Sequence, residues 1–206
     1  MLIAGSIGIA AMLFAGTLMY VAYDKDLSQR YTTERLVHAS AVLAEFIGKT
    51  ISGVDAILQE GGREFVDRSG NVDVARLQKR MSDFSTGVPG ITALFAMNAS
   101  GQVIANSTGK MPANLGFSER SYFTEAMKPG DRLHVSESTV NRIQNRWQFF
   151  ASRPLVLADG RKAGVIVASV DTDMFEDILG SYRPESEIII GLYTSSLQLI
   201  ARAPSD

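Results

Sequence analysis

The stretch SERSYFTEAM, residues 118–127, places an arginine two positions before an aromatic pair, Tyr122 and Phe123. The guanidinium of Arg120 is a planar fork of donors that meets a carboxylate at two points and keeps its charge when partly desolvated. Tyr122 adds a ring wall with a hydroxyl that can donate, and Phe123 adds apolar cover that lowers the local dielectric. A helix starting near Ser118 adds backbone N–H groups and a positive dipole end at the same point. Together these features predict anion binding. The structural reading of the same residues is that Ser118 caps the helix, Arg120 pairs with Glu119 or Glu125 on a solvated surface, and the rings join the core.

A second group falls on one strand-like run, RWQFFASRPLVL (146–157). Period-two alternation puts Trp147, Phe149 and Arg153 on one face and Ser152 on the other. A buried Arg153 needs an anion, either Asp171 or a ligand. Phe150 reads as core. Ser136 and Glu137, on a neighbouring run, can line the same cavity or serve the sheet alone.

Catalytic chemistry has little to work with. The two histidines, His38 and His134, lack metal-ligand spacing and read as solvated or core residues. No serine sits in a strained elbow motif, and Glu137 and Asp171 have no spacing that calls for acid–base work. Gly61-Gly62 and Gly87 with Gly90 match neither phosphate-loop pattern. The absence of cysteine excludes disulfides, thiolate metal sites and cysteine nucleophiles. The sequence therefore predicts no catalytic residue, no metal and no cofactor. A net charge of −2 with scattered Lys and Arg gives no basic face for phosphates, so nucleic acid is not an expected partner.

The elements that hold these residues are readable from periodicity. Residues 2–23 contain no charge and no proline, a run of roughly 30 Å as helix, which predicts an uncleaved transmembrane anchor. Ala4, Gly8, Ala11 and Ala15 form a small-residue stripe there, either a contact face or ordinary membrane-helix composition. Lys25, Arg30 and Arg35 follow the span and no basic residue precedes it, so charge does not set its orientation. Residues 24–60 lack proline, and Leu36, Ser40, Leu43, Ile47, Thr50, Val54 and Ile57 recur at spacings of four and three, predicting one long amphipathic helix that ends at Gly61-Gly62. A shorter helix follows, capped by Asp73, with Val74, Leu77, Met81 and Phe84 on its buried face. From residue 91 the period changes. Strands are predicted over 91–97, 102–107, 132–140, 146–157 and 163–170, a five-stranded antiparallel sheet with one face on the long helix.

The end of the chain repeats its middle. MNASGQVIANS (97–107) aligns with YTSSLQLIARA (193–203), matching Gln102 to Gln198, Ile104 to Ile200 and Ala105 to Ala201. Two unrelated hairpins share alternation too, but a lone hairpin is marginal in water. The expectation is a second module that opens near Glu187 and continues in a longer protein.

The apolar span, the long helix, the PAS-like sheet, Arg-x-Tyr-Phe at 120–123, FFASRPL (149–155), DGRKAGVIVASVDTDMF (159–175) and the second hairpin, in that order, resemble the extracytoplasmic double Cache (PDC) sensor domains of bacterial membrane receptors. The match looks closest to the type fused to diguanylate cyclases or histidine kinases. The resemblance implies an α+β fold in four parts: anchor 2–23, signalling helix 24–60, membrane-distal Cache module 61–180, and linker with first hairpin of a membrane-proximal module 181–206. It also implies an inner (cytoplasmic) membrane location with residues after about 24 in the periplasm or extracellular space, a homodimer, and a small-molecule pocket in the distal sheet.

In the amino-acid-binding branch of that family an Arg-x-Trp-Tyr motif grips the ligand carboxylate, and an aspartate ending a GVxGxD strand takes the amine. Here the motif maps to Arg120, Tyr122 and Phe123, with Tyr in the Trp place. The aspartate position falls on Ser169, and the nearest acid is Asp171. The expected ligand set is Arg120, Tyr122, Phe123, Trp147, Phe149, Arg153, Ser169 and Asp171, and the departure at Ser169 points to an organic acid more than an amino acid. The competing expectation is a tethered interaction or dimerisation module with no small-molecule ligand.

Overall fold

Residues 36–62 are helical (α1) because one apolar stripe, Leu43, Ile47, Ile51, Val54 and Leu58, returns every three or four positions and packs into the main core. Ile57 packs beside this stripe as predicted, whereas Ser40 and Thr50 of the predicted series do not join the core. Ser40 and Thr50 return their hydroxyls to the carbonyls of Val37 and Phe46, as short polar side chains do on a solvated helix face. The computed structural model describes residues 36–62, 73–84, 88–109, 116–140, 145–157, 159–183 and 188–205. The expected membrane span lies outside the described residues, and among those described no helix is long and apolar enough to cross a membrane.

The described part of α1 runs through Gly61 and Gly62. Both residues are helical, and a Cβ on Gly61 would lie 2.6 Å from Ile166 Cδ1, so the glycine lets the helix touch the sheet. Helix α2 (Val74–Phe84) is capped as expected, with Arg76 N–H donating to Asp73 Oδ1 at 3.0 Å. Leu77 and Met81 are buried as expected, whereas Val74, the first residue of the helix, is exposed. The side chain of Phe84 lies outside the described residues.

The sheet consists of β1 (Ile91–Asn98), β2 (Val103–Asn106), β3 (His134–Val135), β4 (Thr139–Val140), β5 (Trp147–Val156) and β6 (Lys162–Asp171). All pairs are antiparallel, in the order β2-β1-β6-β5-β3, with β4 also on β5. The run predicted as one strand over 132–140 is thus two short ones. Ser138 explains the break: its N–H and hydroxyl donate to the carbonyls of Leu199 and Ile200, which draws the chain out of the ladder. The opposite edge is closed by Gln78 of α2, whose side chain exchanges both amide hydrogen bonds with the backbone of Asn106.

Strands β5 and β6 are covered on both sides. One face, with Leu94, Phe149, Leu155, Ile166 and Val170, packs on α1, α2 and α4 (Asp173–Ser181). The other, with Phe95, Met97, Phe150, Val165 and Val167, packs under α3 (Ser121–Met127).

A hairpin of β7 (Ile190–Tyr193) and β8 (Leu199–Ala203) forms its own two-stranded sheet against α4. It copies the β1–β2 hairpin in detail. Met97 pairs with Val103 and Ala96 with Ala105; Tyr193 pairs with Leu199 and Leu192 with Ala201, and both ladders shift register at the same place. The turns match too: Asn98 N–H donates to Gln102 O and Gly101 N–H to Asn98 O, as Thr194 does to Gln198 and Leu197 to Thr194.

Candidate functional site

The segment carrying Arg120 hangs from the β1–β2 turn. Gln102 bridges to Gly116, and Phe117 N–H donates to Gly101 O at 2.9 Å. Gly101 has φ +78°, and a Cβ there would lie 2.7 Å from the nitrogen of Ser118, so the close approach requires glycine twice over. The chain then turns, and Phe123 and Thr124 N–H both donate to Arg120 O. Arg120 itself is therefore the N-cap, with extended backbone and no side-chain cap bond. The expected start near Ser118 is corrected to Ser121, because residues 116–118 are committed to the hairpin. At the far end of α3, Lys162 donates to the carbonyls of Ala126 and Lys128, and its burial pushes its pKa down.

Tyr122 and Phe123 are buried under α3. The Tyr122 ring lies 4.7 Å from Phe150 and edge-on to Phe95 at 6.0 Å, with Phe117 completing the wall. Arg120 stands at the margin of this wall with 24% of its side chain exposed, 3.7 Å from Glu119 Oε1. Its Nε is buried and has no hydrogen-bond partner among the described residues.

The remaining expected site residues divide. Ser169 shares the α3 face: its hydroxyl donates to Gln148 Oε1 at 2.5 Å, and Gln148 Nε2 donates to Thr92 Oγ1 at 2.9 Å, a closed chain of buried polar groups. Asp171 ends β6, 3.1 Å from Arg146, and accepts the N–H of Asp173 at the start of α4. Phe149 and Arg153 share a face as alternation predicts, but it is the α1 face, away from Tyr122. Arg153 is bound there by Asp55 of α1, with Nη2 3.0 Å from Oδ2, and by Asp131 at 2.7 Å, so its counter-charge is neither Asp171 nor a ligand. The pair holds the Asp55 carboxyl below its ordinary range, chiefly through the hydrogen bond from Arg153. Trp147, 58% exposed at the end of β5, is separated from the Tyr122 wall as well.

Two polar residues outside the expected ligand set, His134 and Ser152, belong to the α3 side. Ser152 is fully buried opposite His134 in the β3–β5 register, and neither Ser152 Oγ nor His134 Nε2 has a hydrogen-bond partner among the described residues. Alternation alone placed Ser152 opposite Phe149, and hence beside Phe150. What it lacked was the identity of the covering helix. A cavity of about 720 Å³ lies between the β3 edge and the terminal hairpin, lined by His134 and Ser136, by Ser121 and Glu125 of α3, by Ile47 of α1, and by Tyr193 and Gln198 of the hairpin. Among the described residues no group of His, Asp and Glu could hold a metal ion.

No protein-family model matches the sequence, and no curated protein matches it. Solved structures do match. The extracellular domain of the histidine kinase rpHK1S-Z16 is 27% identical with a TM-score of 0.74, covering 87% of this chain and 73% of its own. The sensory domain of the Campylobacter jejuni chemoreceptor Tlp3 with isoleucine bound has a TM-score of 0.63 at 12% identity, over 84% and 69% of the two chains. The ligand-binding domain of the Pseudomonas aeruginosa amino acid chemoreceptor PctC in complex with GABA has a TM-score of 0.62 at 18% identity, over 82% and 74%. The structural neighbours are extracellular Cache-type sensor domains of histidine kinases and chemoreceptors.

Proposed function

We propose that this chain is the ligand-binding extracytoplasmic region of a membrane signalling receptor, and that it recognises a small carboxylate at the N-terminal side of α3. The carrying observation is Arg120: a guanidinium beside an aromatic wall, whose buried Nε makes no hydrogen bond among the described residues and is ion-paired, at 3.7 Å, with the half-exposed carboxylate of Glu119. A ligand carboxylate would meet it with two charge-assisted hydrogen bonds. Tyr122 and Phe150 would exclude water on one side. The fold of the neighbours supports the sensor reading, and the repeated hairpin supports a double Cache arrangement with the anchor at 2–23, a second module opening near 187, and an output domain such as a histidine kinase or diguanylate cyclase elsewhere in the protein.

Signal transmission follows from strand β5. Phe150 and Ser152 face α3, whereas Arg153 holds Asp55 of α1 from the opposite face. A ligand that binds one position of β5 more tightly than another shifts the paired helix with it, and only that difference in affinity can do so. The second reading, an interaction module, rests on the exposed apolar residues of the terminal hairpin, Ile189, Tyr193 and Leu197.

The test is a thermal-shift screen of the full chain in detergent micelles against organic and amino acids. A ligand at about one hundred times its Kd stabilises by roughly 2.7 kcal/mol, several degrees for a protein this size. Arg120→Ala should abolish the rise. No shift with any carboxylate, together with a dimer contacted through the hairpin, would favour the interaction module instead.

A further inference from the structure

Beneath α3 one row of residues crosses the sheet. His134 faces Ser152, Ser152 faces Val167, and Val167 faces Phe95. Residues paired across antiparallel strands share a face, so all four point toward α3. Tyr122 rests on this row, edge-on to Phe95, and its ring also covers Phe150, the next residue on the same side of β5 as Ser152. Arg120 is two residues before Tyr122 on the segment above.

The polar groups of this face are otherwise satisfied. Ser136 accepts from Phe150 N–H and donates to Glu137 O, and Ser169, Gln148 and Thr92 form their own chain. Ser152 Oγ and His134 Nε2 are the exceptions on this face, buried side by side and bonded neither to each other nor to any other described group. A buried polar atom left unpaired costs about 1 to 3 kcal/mol, so two adjacent ones mark a place built for an additional hydrogen-bonding group.

The chemistry of that group is constrained by the charges around it. Glu125 of α3 is paired with Lys128 at 2.6 Å, and Asp171 is held by Arg146, so neither carboxylate is disposed to take an ammonium. Arg132 and Lys128 also face His134, whose imidazole burial holds below its usual pKa and hence neutral at pH 7. A neutral hydroxyl can donate to one of the two atoms and accept from the other.

Resting on the carboxylate reading of Arg120, we infer that Ser152 and His134 form a hydroxyl subsite and that the ligand class is a small hydroxycarboxylate. Arg120 takes the acid, the aromatic wall takes the carbon skeleton, and the Ser152–His134 pair selects the hydroxyl against both hydrogen and an amine. Sites that hydrogen-bond a buried polar substituent reject analogues lacking it far better than apolar pockets reject additions.

Calorimetric titration of the full chain in detergent micelles with matched sets tests this: propionate, lactate and alanine, and 4-methylpentanoate, 2-hydroxy-4-methylpentanoate and leucine. The hydroxy acid of at least one set should bind about tenfold or more tighter than its unsubstituted and amino counterparts, one hydrogen bond's worth. Ser152→Ala should erase that preference, leave the unsubstituted acid within about twofold, and keep the fold, since it removes an unpaired hydroxyl. His134→Asn should reduce the preference in the same direction. If an amino acid binds tightest, or if Ser152→Ala leaves the ratio intact, the hydroxyl subsite is refuted. Carboxylates that bind through Arg120 without a hydroxyl preference refute this inference alone and leave the carboxylate reading standing. If no carboxylate binds, both fall.

Discussion

Two arginines on opposite sides of one sheet show what a sequence can and cannot say about a charge. Arg153 is neutralised internally by Asp55 and Asp131, and its proton is bound more firmly than usual, chiefly because the guanidinium donates hydrogen bonds to the Asp55 carboxylate. Arg120 has no comparable partner among the described residues. The two should therefore respond oppositely to substitution. Arg120→Ala should leave the melting temperature without ligand nearly unchanged, because an ion pair at 3.7 Å with a half-exposed carboxylate contributes little. Its loss should appear in carboxylate affinity, at least tenfold by titration, with Arg120→Lys retaining part of the binding but not the two-point geometry. Alternation along β5 made the pairing of Phe149 with Arg153, and of Phe150 with Ser152, legible in the sequence. Which side would meet a ligand was not legible, because the deciding contact joins Arg153 to a residue 98 positions earlier on α1. The departure at Ser169 was readable as a missing acid; its closure by Gln148 and Thr92 depends on three strands meeting.

The same clamp matters at the level of elements, since it is a charged tie between α1 and the middle of β5. Asp55→Asn should lower stability by about 1 to 3 kcal/mol, the range for a partly buried hydrogen bond between charged groups, measured by urea unfolding. The pH dependence has a definite sign. Asp55 has a folded pKa below its ordinary value of 3.8, so its contribution is fully present above that value and is lost as pH falls through the lower, folded one. The stability gap between wild type and Asp55→Asn should therefore be widest above the ordinary carboxylate range and close as pH falls through the depressed folded pKa, with the wild type the more acid-resistant of the two until it closes. A gap independent of pH would mean that Asp55 acts through packing. Lys162 plays the corresponding part for α3, joining β6 to the last carbonyls of the helix, and Lys162→Met should loosen α3 in hydrogen exchange while β5 and β6 stay protected. Helices, strands and their order were legible because their periodicities are local. The division of 132–140 was not, since the competing acceptors lie on β8, over sixty residues away.

At the scale of the whole molecule, the two hairpins share pairing, register shift and turn bonds, yet they differ at one backbone position that tests what each is for. Gly101 and Leu197 occupy the same place in their turns, with φ +78° and +61°. Leucine in that region costs about 1 kcal/mol or more relative to glycine, and Leu197 is 84% exposed, so its side chain offsets none of this within the described residues. Leu197→Gly should slow amide exchange in β7 and β8 about fivefold and leave ligand affinity unchanged, since the hairpin packs on α4 and Leu197 does not line the cavity beside α3. The reciprocal change has the reverse consequence. Gly101→Ala adds both the positive-φ cost and a Cβ 2.7 Å from the backbone of Ser118, and that backbone leads directly to Arg120. It should cost about 1 to 3 kcal/mol in unfolding and weaken carboxylate binding even though residue 101 touches no ligand. Equal effects of the two substitutions on binding would show that the turn does not position the arginine. The expected asymmetry would show that one hairpin geometry, used twice, has been tied to the candidate site only in its first copy.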